Sequence, residues 1–427
     1  MNARKLSHEL LLKAEASKQY SNISLDNALQ KSNLSDADKR LASALFYGVT
    51  ERRITLDYQI KTLSTRDIND IDKAALCAIR LGLYQLIYLD RIPAHAAINE
   101  SVSLCPKKSS GFANAILRSF LRKGGLSLPN PENELEYLSV LYSVDTPLLS
   151  RFLSVFGREE TEKLLLAINE APMTTLRVNT LLTDRASLLE KIPAGIPTKN
   201  APNGILTQGS VRELYGFDDG LFFVQDEASQ ICVEALGAKQ GELVMDICAC
   251  PGSKSFGAAI TMKNEGSVYS FDLHENKLSL VINGAKRLKI DIIKTSACDG
   301  RRFLAEFEGL ADRIICDVPC SGFGVIAKKP ELRYKNPNES ASLPKIQIDI
   351  LENACRYLKR GGALVYSTCT ILPEENEKNV ESFLANHPEF ALEPWSVGDI
   401  SADNGMITLL PHKHKTDGFF IAKLTRK

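Results

Sequence analysis

The sequence predicts an all-helical amino-terminal domain followed by an α/β domain whose mostly parallel sheet carries helices on both faces. Three observations carry this reading. Residues 1–125 place apolar side chains at helical spacing and show no strand-like alternation. Beyond about residue 235, short apolar runs alternate with helical segments, the pattern of parallel strands joined by crossover helices. The 427 residues, 44% hydrophobic and 24% charged, suit two or three globular domains and exclude disordered, collagen-like and coiled-coil chains.

The elements follow in order. Leu6, Leu10, Leu11 and Ala14 share one helix face, as do Leu41, Ala44, Leu45 and Gly48, and then Ile71, Ala74, Ala75, Ala78 and Ile79. Ser35 and Asp36 are a helix-opening pair, and Pro93 closes the segment running through Tyr88. Gly124-Gly125 with Pro129 and Pro131 interrupts any helix, which places the first domain at 1–128. Residues 129–225 are mixed. Helical stretches at 147–156 and 158–169 precede β-like runs at 175–180 and 222–224, so a linker and a small mixed α/β subdomain are expected. The third domain, 226–427, has strand-like runs at 243–247, 268–271, 290–294, 314–316 and 363–366. Helices are expected between them near 254–262, 275–287, 345–359 and 374–386.

Lys plus Arg and Asp plus Glu both total 52, but residues 1–125 hold 19 basic and 12 acidic side chains and the remainder 33 and 40. A basic front module suits a polyanionic partner. The longest apolar run, 81–89, includes Gln85 and is far short of the roughly 20 residues a membrane span needs. The first residues lack an apolar block followed by a cleavage site, so no secretory signal is expected. Ten cysteines include no CxxC pair, and Cys248 with Cys250 has no further ligand nearby, so no metal site is expected. Reduced thiols in the cytoplasm fit this usage.

Ligands of such sheets bind beyond the carboxyl ends of the strands. After the first strand comes Asp246-Ile-Cys-Ala-Cys-Pro-Gly-Ser-Lys-Ser255, a small-residue loop entering a helix, where backbone amides can approach a ligand closely. It is neither GxGxxG nor GxxxxGK[ST]. Asp272, Asp299 and Asp317 follow the next three strands, and an acid at 272 suits a ribose diol. Two thiols sit at strand ends on the same side. Cys320 lies in the Pro/Gly-rich turn Asp317-Val-Pro-Cys-Ser-Gly-Phe-Gly324. Cys369 lies in Tyr366-Ser-Thr-Cys-Thr370, ahead of Pro373-Glu-Glu-Asn376, where a helix start favours a thiolate.

Together, DxCAxPGxK, the aspartates at 272 and 299, DxPCSGxG, YSTC and PxEN resemble the RNA 5-methylcytosine methyltransferases of the Fmu/Sun (RsmB-like) group, over roughly residues 170–427. The front module, with Phe112-Ala-Asn-Ala-Ile-Leu-Arg118, is similar to the NusB-type RNA-binding domain of that bacterial subgroup. The resemblance implies a Rossmann-like, seven-stranded methyltransferase domain. It implies S-adenosylmethionine held by Cys248, Ala249, Cys250, Pro251, Gly252, Ser253 and Lys254, with Asp272 on the ribose, Asp299 near the adenine, and Asp317 shared with the target base. It assigns RNA contacts to Arg177 and Asn179 of the RxN segment and, after the PC loop, to Lys328, Lys329 and Arg333. The implied partner is 16S ribosomal RNA rather than the fully assembled subunit, and the protein is expected to be a monomer. Two positions depart from the group's pattern: Cys250 replaces alanine and Ser253 replaces glycine. A serine at 253 would cost about 1–2 kcal/mol if that position needed positive φ.

The chemistry the resemblance implies needs these groups. Carbon 5 of cytosine is a weak nucleophile, and a thiolate adding to carbon 6 makes it an enamine carbon able to attack a sulfonium methyl group. The resemblance gives that thiolate to Cys369, hydrogen bonding of the base to Asp317 and release of product to Cys320. The base must leave its stack, which suits single-stranded or loop RNA. The alternatives are a cytosine-5 methyltransferase acting on tRNA or DNA, or a degenerate RNA-binding, antitermination-like factor.

Overall fold

The computed structural model describes residues 2–17 and 22–427, which divide into two compact units. The first comprises residues up to Thr161 together with Lys329–Asn336, and the second Glu162–Lys328 with Pro337–Lys427.

The first unit is helical throughout its amino-terminal part, as its periodicity requires. Helices span Ala3–Ser17, Asn22–Lys31, Asp36–Glu51, Arg53–Leu63, Lys73–Tyr88, Ala94–Ser103 and Lys107–Lys123. The Ser35 side chain caps the third by accepting from the Asp38 amide. Leu45, Leu56, Ala75, Ile79, Leu81, Leu83 and Leu117 form the buried stripe. Within that interior Arg80 bonds Asp57 and Glu15. Burying one such leucine contributes about 1.5–3 kcal/mol. The expected boundaries at 128 and 225 do not coincide with the edges of this unit. Helix Glu134–Tyr142 packs on Arg53–Leu63, the helix Thr146–Ala167 is interrupted at Gly157 (φ 73°), and Lys329–Asn336 joins the helical unit.

The second unit holds a four-stranded antiparallel sheet and a larger sheet. The small one comprises β1 (Thr174–Val178), β2 (Ile196–Pro197), β3 (Gly204–Thr207) and β4 (Phe222–Val224), in the order β2-β3-β1-β4. The large one comprises β5 (Leu243–Asp246), β6 (Ser267–Asp272), β7 (Ile293–Ala297), β8 (Ala311–Asp317), β9 (Leu358–Thr368) and β10 (Phe390–Leu392). A two-stranded ribbon, β11 (Trp395–Val397) and β12 (Ile400–Ala402), follows; then β13 (Met406–Leu409) and β14 (Phe419–Arg426) return to the large sheet. Its order is β10-β14-β9-β8-β5-β6-β7, with β13 paired to β14 off that path. The seven strands expected are therefore joined by an eighth.

Strands β5 to β9 run parallel, and β14 enters antiparallel between β9 and β10. The order reverses at β5, which has β6 on one side and β8 on the other, so the loop after β5 stands at the switch point where such sheets bind ligands. No described helix is long and apolar enough to cross a membrane.

Candidate active site

All five parallel strands end on one edge, and that edge gathers most of the residues the sequence singled out. In register, Asp246 stands beside Ile315, and Asp317 beside Ser367. The loop leaving β5 folds back on the next strand end. The Ala249 amide donates to the Phe271 carbonyl (2.8 Å), and the Cys250 amide to Asp272 Oδ2 (3.2 Å). Asp272 Oδ1 accepts from the His274 amide at 3.0 Å. Gly252 takes φ 110° at the start of helix Ser253–Thr261, and a Cβ there would stand 2.6 Å from the Phe256 ring. The left-handed residue of this loop is therefore Gly252. Ser253 is an ordinary first helical residue, and the backbone cost considered for it does not arise.

Beneath the loop lies a buried polar chain: Ser270 donates to Ser255 Oγ, which donates to Asp246 Oδ2 at 2.6 Å. Asp246 Oδ1 is buried without a hydrogen-bond partner. Burial, with Asp317 nearby, lifts the Asp246 carboxyl to about 7 against the pull of Ser255. Burial and Asp272 push the Cys250 thiol up to about 12, so it stays a neutral thiol. Asp299, beyond β7, is held below the usual carboxylate range by its hydrogen bonds from Arg301.

The Lys254 ammonium, on the first turn of the helix, donates to Asp317 Oδ2 at 2.6 Å and lies 5.1 Å from the centre of the Phe419 ring. Burial disfavours its charge, but Asp317 more than offsets this, and its pKa is raised. The Ser367 hydroxyl donates to Asp317 Oδ1 at 2.7 Å. Asp317 is thus fixed from both sides, by the helix after the β5 loop and by the end of β9.

The two loop thiols meet. Cys320 Sγ lies 2.9 Å from Cys369 Sγ, and the Cys369 amide donates to Cys320 Sγ at 3.2 Å. Neither cysteine is in a disulfide, and both are partly exposed. The hydrogen bond with Cys369, then burial, raise the Cys320 thiol well above its usual range, which keeps its proton in place at neutral pH.

Four of the five side chains expected to meet RNA are bonded to other groups of the protein. Arg177, 1% exposed, bonds Glu234 (2.6 Å), Thr261 and Gln225, and its guanidinium fills the space above Gly257. It joins the small sheet to the helix behind the β5 loop. Asn179 donates to the Gly220 and Leu288 carbonyls. Lys328 is ion-paired with Asp226 and Asp417. Arg333 is fully buried in the helical unit, against Glu51 and the Tyr142 carbonyl. Only Lys329 of the five is exposed. A basic residue beside a motif looks the same in sequence whether it meets solvent or a buried acid; the acids come from elements far away in the chain. Among the described residues no cluster of acids, histidines and cysteines is arranged to hold a metal ion.

Strand order and the equipped carboxyl edge define the class of the second unit: a methyltransferase-type α/β domain, which follows the helical domain in sequence. The NusB family model matches residues 1–122, and the model described as 16S rRNA methyltransferase RsmB/F matches residues 233–425. The chain is 37% identical over 444 residues to the Bacillus subtilis (strain 168) protein named probable ribosomal RNA small subunit methyltransferase B, covering 100% of this chain and 99% of that one. It is 33% identical over 419 residues to ribosomal RNA small subunit methyltransferase B of Yersinia pseudotuberculosis, covering 93% of each. Among solved structures it is similar to the crystal structure of PH0851 (27% identity, TM-score 0.82, 100% of this chain and 99% of that one). It is also similar to a methyltransferase homolog protein from Pyrococcus horikoshii (26% identity, TM-score 0.60, 69% and 99%). The chain belongs to the RsmB/F family of 16S rRNA methyltransferases.

Proposed function

We propose that this protein transfers a methyl group from S-adenosylmethionine to carbon 5 of a cytosine in 16S ribosomal RNA, through a covalent bond between Cys369 and carbon 6. The observation that carries the reading is the pair of thiols in contact, Cys320 on the loop after β8 and Cys369 on the loop after β9, beside Asp317.

The β5 loop fits the cofactor. Asp246 has a buried oxygen without a partner, and an acid stands at the end of β6 where a ribose diol would be held. Residues 248–254, Asp272, Asp299 and Asp317 would hold it. When bound, it supplies an electrophilic methyl group on a sulfonium.

The remaining steps belong to the chain's own side chains. Asp317, anchored by Lys254 and Ser367, accepts a hydrogen bond from the exocyclic amine of the cytosine and so orients the base for attack. Cys369 as thiolate adds to carbon 6, and the electron pair moved onto carbon 5 takes the methyl group. Loss of the carbon-5 proton to water then re-forms the double bond as the carbon–sulfur bond breaks and returns its electrons to Cys369. Cys320, with its sulfur against that of Cys369, assists this release rather than attacking.

The exposed basic helix Lys107–Lys123, with Lys107, Lys108, Arg118, Arg122 and Lys123, suits the phosphate backbone and gives the helical unit the RNA-holding role. Bisulfite sequencing of 16S rRNA from cells with and without the protein tests the reading. One cytosine should become convertible when the protein is absent; an unchanged conversion pattern refutes the assignment.

A further inference from the structure

The dipeptide Glu375-Asn376 takes no part in the steps above, yet both side chains are buried, at 2% and 0% exposure, and they face different loops. The Glu375 carboxylate turns to the Cys320 loop. It accepts from the Ser321 amide (2.9 Å), the Ser321 hydroxyl and Gln347 Nε2 (2.8 Å). Gln347, itself wholly buried, also donates to the Pro319 carbonyl at 2.9 Å, so both neighbours of Cys320 are held. The Asn376 amide turns to the Cys369 loop. Its Oδ1 accepts from the Thr368 hydroxyl (2.6 Å), and its Nδ2 donates to the Thr370 carbonyl (3.0 Å), so both neighbours of Cys369 are held as well. Ser321 Oγ lies 2.8 Å from Thr370 Oγ1 and closes the bracket between the loops.

A buried carboxylate and a buried amide are unfavourable unless their hydrogen bonds are made. Each therefore imposes one position on the loop it serves. We propose that Glu375 and Asn376 are positioning residues, Glu375 holding Cys320 and Asn376 holding Cys369, so that two loops from different strands present their thiols in contact. The inference rests on the cysteine roles proposed above, and it gives the two adjacent residues opposite phenotypes. Loss of Glu375 frees the release thiol, and loss of Asn376 frees the attacking one.

The test compares Glu375→Gln and Asn376→Ala with Cys320→Ala and Cys369→Ala in the full-length protein. Glu375→Gln should lower turnover about 10- to 100-fold, the range for lost hydrogen bonds to a charged group. It should leave S-adenosylhomocysteine affinity unchanged and accumulate a denaturation-resistant, RNase-sensitive RNA adduct, as Cys320→Ala does. Asn376→Ala should lower turnover without adduct, as Cys369→Ala does. Where either variant loses S-adenosylhomocysteine binding through misfolding, Ser321→Ala and Thr368→Val, which delete single hydroxyls of the bracket, replace them with the same expected signs.

A second readout does not depend on the roles of the thiols. Diamide, reduced by two electrons, joins Cys320 and Cys369 as a disulfide that mass spectrometry identifies, and this bridging should be slower in both bracket variants. Bridging at the wild-type rate overturns the proposal, as does loss of Glu375 without adduct while Cys320→Ala traps RNA. If Cys320→Ala itself traps nothing but bridging is slowed, the bracket stands and the roles given to the cysteines fall.

Discussion

Cys320 and Cys369 are 49 residues apart in sequence and 2.9 Å apart at their sulfur atoms. Parallel pairing of β8 with β9 sets Asp317 opposite Ser367, so the three or two residues that follow each carry a thiol to the same point on the sheet edge. The contact is a product of register.

That contact predicts two different failures. Cys369→Ala should abolish methyl transfer, because no thiolate then reaches carbon 6 and the ring stays inactive. Cys320→Ala should permit methylation but leave RNA attached, visible as a slow band on a denaturing gel that RNase removes. The double variant should show no band. A band from Cys369→Ala instead would exchange the roles.

Cofactor binding should depend on the end of β6. Asp272→Ala removes the carboxylate that ties the Cys250 amide to this edge and that would meet the ribose. Calorimetry should find S-adenosylhomocysteine bound about 10- to 100-fold more weakly, the range for losing hydrogen bonds to a charged group. Unchanged affinity places the ribose elsewhere.

RNA affinity should respond to the helix Lys107–Lys123. Changing Lys107, Lys108 and Arg118 to alanine should weaken binding of an rRNA fragment and flatten its dependence on salt. Each lost phosphate contact reduces the log–log slope by about 0.7 to 0.9. A slope equal to that of the wild type would move the RNA to another surface.

Lys328 should matter for stability, with a defined pH sign. It bridges two partly buried acids, Asp226 and Asp417, and burial together with Asp226 lifts the Asp417 carboxyl to about 7. Because Asp417 binds its proton more tightly folded than unfolded, its contribution to stability falls as pH rises from about 4 through 7. Lys328→Ala removes the cation that opposes this and extends the loss upward. Thermal unfolding should show the variant destabilised by about 3–5 kcal/mol at pH 8 and by less at pH 5. Equal losses at both pH values would mean that the acids do not share a proton.

Local pattern was enough for much of this molecule. Apolar periodicity marked the helices of residues 1–123, and the break at Gly157 falls between the two helical stretches read at 147–156 and 158–169. The parallel strands and the small-residue loop after β5 were legible because each depends on neighbours within a few residues. The pairing of the last strands was not: β13 pairs with β14, and β14 enters between β9 and β10, through hydrogen bonds between segments distant in the chain.

The site divides in the same way. The sequence determined which residues stand at strand ends, because a strand's end and the loop after it are local, and so the aspartates at 246, 272 and 317 and the thiols at 320 and 369 could be named from it. Only the tertiary structure decided which charged groups face solvent. Arg177 and Arg333 became interior groups and Lys328 a bridging one because Glu234, Asp226, Asp417 and Glu51 arrive from other elements, and a buried charge is kept only where such a partner is in place.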